Sequence, residues 1–221
     1  MKLIIVRHGE TDWTLARRHT GATDVLLTAH GRREAASLAS PLEHVLGGQS
    51  PVAVSSPRQR ALETAALVLP EQHLTIDPLV AEYDYGDYEG LTAEQIRRRA
   101  PGWDIWRDGC PHGESTADVG ARADTFLCTT AENSTRPLLV FTHGHFSRIL
   151  AARTLGLAPQ YGNLFASAPA SVSVIEDHDG ERCLGLWNAD AALLGRVADQ
   201  MPHLNSDGQA AAALLPATGR S

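Results

Sequence analysis

The sequence predicts an α/β fold, a three-layer αβα sandwich around a mainly parallel central sheet, and three observations carry that reading. Short apolar, β-branched runs recur along the chain, stretches of helical periodicity lie between them, and the last two runs are joined by a tight polar turn. Runs at 2–7, 52–55, 138–142 and 171–175 predict strands, with weaker candidates at 74–76 and 182–187. Strands alternating with helices pair in parallel and are covered on both faces.

The helices follow in order. Residues 28–46 put Ala35, Leu38, Leu42 and Val45 on one face at steps of three and four, with Pro41 expected to interrupt or bend the helix. Residues 57–69 repeat the pattern through Ala61, Leu62, Ala65, Ala66 and Leu69, and Ser56-Pro57 reads as an N-cap followed by proline at the first helical position. The stretch 84–114 is rich in Gly, Trp, Asp and Arg and poor in strand signal, which predicts a loop-plus-short-helix flap over one end of the sheet. Residues 115–131 carry Val119, Ala123, Phe126 and Leu127 at helical spacing, with Ser115 and Asp118 as a capping pair. Residues 145–155 form another helix that Gly156 stops. The runs 171–175 and 182–187, joined by Asp177-His178-Asp179-Gly180, predict an edge hairpin. A single domain over 1–195 followed by a flexible tail over 196–221 is expected, a docked short helix being the alternative for the tail.

Composition narrows the function classes. A hydrophobic fraction of 43% in 221 residues supports a sizeable core. A net charge of −7 argues against generic nucleic-acid or anionic-membrane binding, while leaving room for a local basic pocket. Cys110, Cys128 and Cys183 are too few and too irregularly spaced for a disulfide framework or zinc knuckle, so a reducing cytoplasm is expected. The N-terminal apolar stretch is too short for a secretory leader or a membrane span.

In α/β folds ligands bind beyond the carboxyl ends of the strands. The first strand ends in Arg7-His8-Gly9, the second leads into Ser56-Pro57-Arg58-Gln59-Arg60, and the strand 138–142 ends in His143-Gly144-His145. The third weak strand is followed by Ala81-Glu82-Tyr83-Asp84-Tyr85-Gly86. Each exit alone has a bland reading: His8 a solvated strand end, Arg60 a surface helix residue, Glu82 a loop carboxylate. His143 and His145 are two apart and could ligate a metal, but the strand end makes a turn there and no neighbouring acid or thiol completes a set. Together the exits point to an oxyanion pocket.

The segments "RHGETDW", "SSPRQRALET", "AEYDYGDYEG" and "THGHFSR" resemble the four ordered signatures of the histidine phosphatase superfamily, the phosphoglycerate-mutase-like clan, over roughly residues 2–190. "YGDYEG", "WDIWRDGCPHGES" and "HGHFSR" are similar to phosphatases of the sedoheptulose-1,7-bisphosphatase-like and mycobacterial acid-phosphatase-like branches. The resemblance implies a phosphoglycerate-mutase-like fold and metal- and cofactor-independent hydrolysis of a small phosphate ester, a sugar phosphate or bisphosphate, through a phosphohistidine. It implies His8 as nucleophile, Arg7, Arg60 and His143 as phosphate donors, and Glu82 as the acid that protonates the leaving group. It further implies Gly9 orienting the imidazole, Tyr85 and Arg148 contacting substrate, and Arg148 as a candidate for a second phosphate. Ser56, His19 and Thr23 are expected at the pocket rim with Arg58 as a rim cation, Thr20, Gly21 and Gly144 around the pocket, and Trp103 to Trp106 with Arg107 and Cys110 along its wall or simply packed under the flap. Thr14 stands where many relatives of this kind carry asparagine, so a hydrogen bond differs there. A phosphomutase is the alternative, and a phosphate-binding regulator a lesser one; the excursion after the glutamate motif is shorter than in mutases, and "HGH" replaces their "HGN". A homodimer through the 182–187 edge is a further expectation.

Overall fold

The computed structural model describes residues 1–70, 73–131 and 136–200. The first half of the chain contributes β1 (Lys2–Arg7), α1 (Asp12–Leu15), α2 (Ala29–Ser37), α3 (Ala39–Leu46), β2 (Val52–Ser55), α4 (Gln59–Val68) and β3 (Leu74–Ile76). The flap carries α5 (Ala93–Arg99) and α6 (Ile105–Asp108), and α7 (Thr116–Phe126), β4 (Leu138–Thr142) and α8 (Gly144–Thr154) follow. The chain closes with β5 (Val172–His178), β6 (Glu181–Ala189) and α9 (Ala191–Gln200).

The six strands form one sheet in the order β3-β2-β4-β1-β5-β6. The first four are mutually parallel; β5 and β6 run antiparallel at one side. Strand alternation sorts the core into two halves. Leu3 and Ile5 of β1 and Leu138 and Val140 of β4 pack with Val119, Phe126, Phe146 and Ile149 of α7 and α8. Ile4, Val6, Leu139 and Phe141 face the other way, against Leu38, Leu42, Ala65, Val68 and Leu194 of the N-terminal helices and α9. One apolar layer on each face of the sheet is the three-layer arrangement expected.

Several local expectations shift. The helix 28–46 breaks at Leu38, ahead of Pro41, which sits in the first turn of α3. A proline there needs no N–H partner but cannot tolerate the carbonyl four residues earlier, so the break precedes it. Ser56 is not an N-cap: α4 starts at Gln59 after Arg58, and the Ser56 hydroxyl is engaged elsewhere. The helix from Thr116 ends in a π-helical turn over Leu127–Ala131, and Ser115 with Asp118 forms the capping box. Gly156 takes a φ of +76° just beyond α8. The hairpin strands are longer than the apolar runs, because Asp179 (φ +56°) and Gly180 (φ +88°) alone form the two-residue turn. α9 passes through residue 195, so the expected start of the tail falls inside a helix. Residues 201–221 lie outside the described residues.

Cys110 is buried and Cys128 and Cys183 are exposed, all as free thiols. Among the described residues no helix is long and apolar enough to cross a membrane.

Candidate active site

Sheet register brings the exits together. β1 and β4 pair in parallel with Arg7 opposite Thr142, and His8 N donates to Thr142 O at 3.0 Å. On the other side of β4, Ser56 N donates to Phe141 O at 3.0 Å. The tips of three adjacent strands thus set Arg7-His8, Ser56 and His143 side by side. The segment after β3 joins them because Thr142 Oγ1 donates to Val80 O at 2.6 Å, two residues before Glu82.

Hydrogen bonds assign the imidazole tautomers. His8 Nδ1 lies 2.8 Å from Gly9 O, and a carbonyl can only accept, so Nδ1 carries the proton and Nε2 the lone pair. Gly9 is required by contact: a Cβ on it would stand 2.5 Å from Gly31 O in the first turn of α2. Its N–H donates to Thr64 Oγ1 at 3.1 Å, and that hydroxyl donates to Arg60 O at 2.7 Å. His143 Nδ1 receives Arg60 Nε–H at 3.2 Å, so its own proton sits on Nε2, which donates to Ser56 Oγ at 2.7 Å. The rings of His8 and His143 meet edge to face with centroids 5.2 Å apart.

Burial and neighbouring cations keep both rings neutral. His8 is lowered well below the ordinary histidine value by burial, then by Arg60 and Arg7; His143 is lowered by burial, then by Arg60 and His8. A neutral His8 is the form with a nucleophilic lone pair. The same shifts set a stability trend. The unfolded histidines protonate near 6.5 while the folded ones do not, so stability is fully present above that value and is lost as pH falls below it. His145 is lowered in the same way by burial, and for the three buried rings together the loss between pH 7.5 and 5.5 is expected to be about 4 kcal/mol, measurable as a drop in urea-unfolding free energy. A flat profile over that window would contradict neutral burial.

The cations divide into two kinds. Arg60 is fully buried and donates to Thr23 O at 2.9 Å, Thr20 O at 2.8 Å and Gly21 O at 3.1 Å. Arg7 donates through Nη1 to Ser167 O, while its Nε is buried with no protein partner among the described residues. A buried guanidinium N–H left open in this way is a donor available to an anion. Gly144 lets this group lie close, since a Cβ there would be 3.2 Å from Arg7 Cζ.

Glu82, 9% exposed, is gripped by backbone. Oε1 accepts from Tyr83 N and Phe146 N, both at 2.9 Å, and Oε2 from His145 N at 3.0 Å, so the carboxyl group caps the first turn of α8. Arg122 holds the segment that carries it. Its Nη1 donates to Leu79 O at 2.7 Å and Ala81 O at 2.9 Å, its Nη2 to Glu82 O at 3.3 Å, and Nε and Nη2 fork onto Glu114 at 2.8 and 2.9 Å.

Arg7, His8, Thr14, His19, Thr20, Glu82, Tyr85, Gly144, Arg148, Trp103 and Trp106 line a cleft of about 470 Å³. Tyr85 OH shares a hydrogen bond with His145 Nδ1 at 2.7 Å, and His19 stacks on His145 at 5.9 Å. Thr14 bonds back to Thr11 O at 2.8 Å. Other residues take places the sequence did not suggest. Gly21 and Thr23 do not line the cleft; with Thr20 they lend carbonyls to Arg60, and Glu89 binds their N–H groups at 3.0 and 3.1 Å. Ser56 is fully buried behind His143 and not at a rim. Arg58 is half-buried, with its Nε unpartnered among the described residues. Arg107 and Cys110 border a second hollow formed by the flap itself, which meets the cleft only at Trp103. Arg148 donates from Nε to Gly162 O at 3.0 Å and from Nη2 to Asn163 O at 3.3 Å, and lies 4.4 Å over the Trp106 ring. Thr64, Arg122 and Ser167 also support the site; only Thr64 carries a sequence signal for it, standing four residues after Arg60 on one helical face. Among the described residues no group of three or more His, Cys, Asp or Glu could hold a metal ion.

Comparison with known proteins agrees with this geometry. The family model described as the histidine phosphatase superfamily (branch 1) matches residues 3–190. An acid phosphatase of Mycobacterium tuberculosis is 43% identical over 189 residues, covering 84% of this chain and 91% of the relative. A sedoheptulose 1,7-bisphosphatase of Saccharomyces cerevisiae is 34% identical over 187 residues, 72% of this chain and 69% of the relative. A solved structure of an open reading frame from Mycobacterium tuberculosis superposes with a TM-score of 0.79 at 40% identity, covering 86% of this chain and 98% of that one.

Proposed function

We propose, because the chain belongs to the histidine phosphatase superfamily (branch 1), that it is a phosphomonoesterase acting on a small phosphorylated metabolite, a sugar phosphate or bisphosphate, in the cytoplasm. The observation that carries the reading is His8, held neutral with Nε2 unprotonated, in a cleft it shares with Arg7 and Glu82.

The geometry supports a two-step transfer. The Arg7 guanidinium neutralises the ester phosphate, and Arg60 and His143 supply positive charge and an Nε2–H from behind. His8 Nε2 attacks phosphorus as the ester P–O bond breaks, and the departing oxygen takes a proton from Glu82. Water then attacks the phosphohistidine, Glu82 accepts its proton, and the P–N bond breaks to release inorganic phosphate and the free imidazole. His143 is held at both ring nitrogens, Nδ1 by Arg60 Nε–H and Nε2–H on Ser56 Oγ, so its donation to the phosphoryl oxygens requires the Ser56 contact to be exchanged for one to the substrate, with no change of tautomer.

Glu82→Gln tests the acid. With a poor leaving group such as a sugar alkoxide, kcat is expected to fall on the order of 10³-fold, and with 4-nitrophenyl phosphate far less. An equal fall on both substrates would remove Glu82 from that role. Assay of phosphate release against interconversion of 3- and 2-phosphoglycerate separates hydrolysis from mutase action, and interconversion without net release would overturn the proposal.

A further inference from the structure

Charge around the cleft is lopsided. The protein carries a net charge of −7, yet five arginines (Arg7, Arg17, Arg18, Arg97 and Arg148) line this one cleft against the carboxylates of Glu82 and Asp104 alone. None of the five forms an ion pair among the described residues. The inner cation, Arg7, belongs to the reacting phosphate. Arg148 is spent differently: two of its nitrogens hold the turn at 162–163 and its plane covers Trp106.

The other three are exposed, and two of them are anchored on backbone carbonyls with donors to spare. Arg18 uses Nη1 on Gly90 O at 3.0 Å, and Arg97, in the last turn of α5, uses Nε on Trp103 O at 3.2 Å. Arg17 has no hydrogen bond from its side chain among the described residues, and its backbone sits at φ +54°, directly after the C-cap of α1. That left-handed position favours glycine, so a long cationic side chain is held there against backbone preference. Two carbonyl-anchored guanidinium groups and a third beside them at the edge of a cleft, none of them in an ion pair among the described residues, suit a dianion.

We infer that Arg17, Arg18 and Arg97 form a distal anion subsite, and that the protein's preferred substrate carries a second phosphate there while the first meets His8. The inference rests on the phosphomonoesterase reading and selects the bisphosphate class within it. Arg148, by its contacts, shapes the wall between the two ends. A cleft of about 470 Å³ accommodates a ketose bisphosphate.

The test measures kcat/KM for fructose 1,6-bisphosphate, fructose 6-phosphate, fructose 1-phosphate, 3-phosphoglycerate and 4-nitrophenyl phosphate. Wild type is compared with Arg17→Gly, Arg97→Gln and the double variant. Arg17→Gly places the favoured residue in a left-handed position, so its fold is preserved. Each single variant is expected to lower the ratio of the bisphosphate to either monophosphate about fivefold, mainly through KM, and the double variant about 20-fold. Arg97→Lys should restore part of the ratio, and raised salt should shrink it in wild type. An unchanged ratio in the double variant, or an equal loss on every ester, overturns the subsite. A loss confined to 3-phosphoglycerate means the arginines read a carboxylate, and the inference fails as stated. If wild type releases phosphate from none of the esters, it is the hydrolase reading that has failed.

Discussion

Replacing His8 by alanine is expected to lower kcat for a phosphomonoester on the order of 10⁵-fold, the scale seen when a covalent nucleophile is removed from an enzyme. The expectation follows from position as much as from chemistry. Nδ1 is tied to Gly9 O at 2.8 Å, so Nε2 is the ring nitrogen left to attack. The adjacent imidazole does not replace it: His143 keeps its Nε2 proton on Ser56, and its Nδ1 lone pair is taken by Arg60. Two readouts check the claim. Phosphate release should vanish in the variant, and an acid-labile, base-stable phosphoryl label should form on the wild type and not on His8→Ala. Turnover within tenfold of wild type would show that water attacks the ester directly and that His8 only binds.

Arg60→Met is expected to lose about 3–5 kcal/mol of folding stability as well as most activity. A methionine fills much of the volume but donates nothing. Thr20 O, Gly21 O, Thr23 O and His143 Nδ1 then face the interior without their donor. Arg60→Lys is the informative partner, because it keeps a charge and gives up the planar fork. It should recover part of the stability and little of the activity, since one ammonium cannot hold three carbonyls and the His143 tautomer at once. Urea midpoints of the two variants, read beside kcat, separate the roles. A stability-neutral Arg60→Met would mean that the 20–23 segment is held by Glu89 alone.

The parts of this molecule that the sequence made readable are those governed by near neighbours. Leu3 to Val6 and Leu138 to Phe141 alternate between the two core halves, and a strand run is read from its own residues. The capping box at Ser115 and Asp118 and the turn at Asp179-Gly180 likewise need nothing beyond four residues. Pairing partners far along the chain were the limit. Ser56 carries the local signature of an N-cap, but His143, 87 residues away, claims its hydroxyl. Thr20, Gly21 and Thr23 read as pocket residues, whereas their carbonyls serve a guanidinium about forty positions later. Glu82 stands out as an acid in sequence, but its hold on the first turn of α8 requires the sheet to be formed first. Beyond the neighbouring Tyr83 N–H, its side-chain partners lie more than sixty residues on, and no periodicity announces them.

That distance has a kinetic consequence. The reacting groups come from residues 7–8, 60, 82 and 143, and they meet only because β2, β4 and β1 lie next to one another in the sheet. Contacts of such long sequence separation require large loops to close, which places them late in folding. No fragment or half-formed intermediate holds an N-terminal nucleophile against a guanidinium from α4 and an acid seated on α8. Turnover during refolding is therefore an all-or-none signal, rising with completion of the central three strands and not with the earlier appearance of helix.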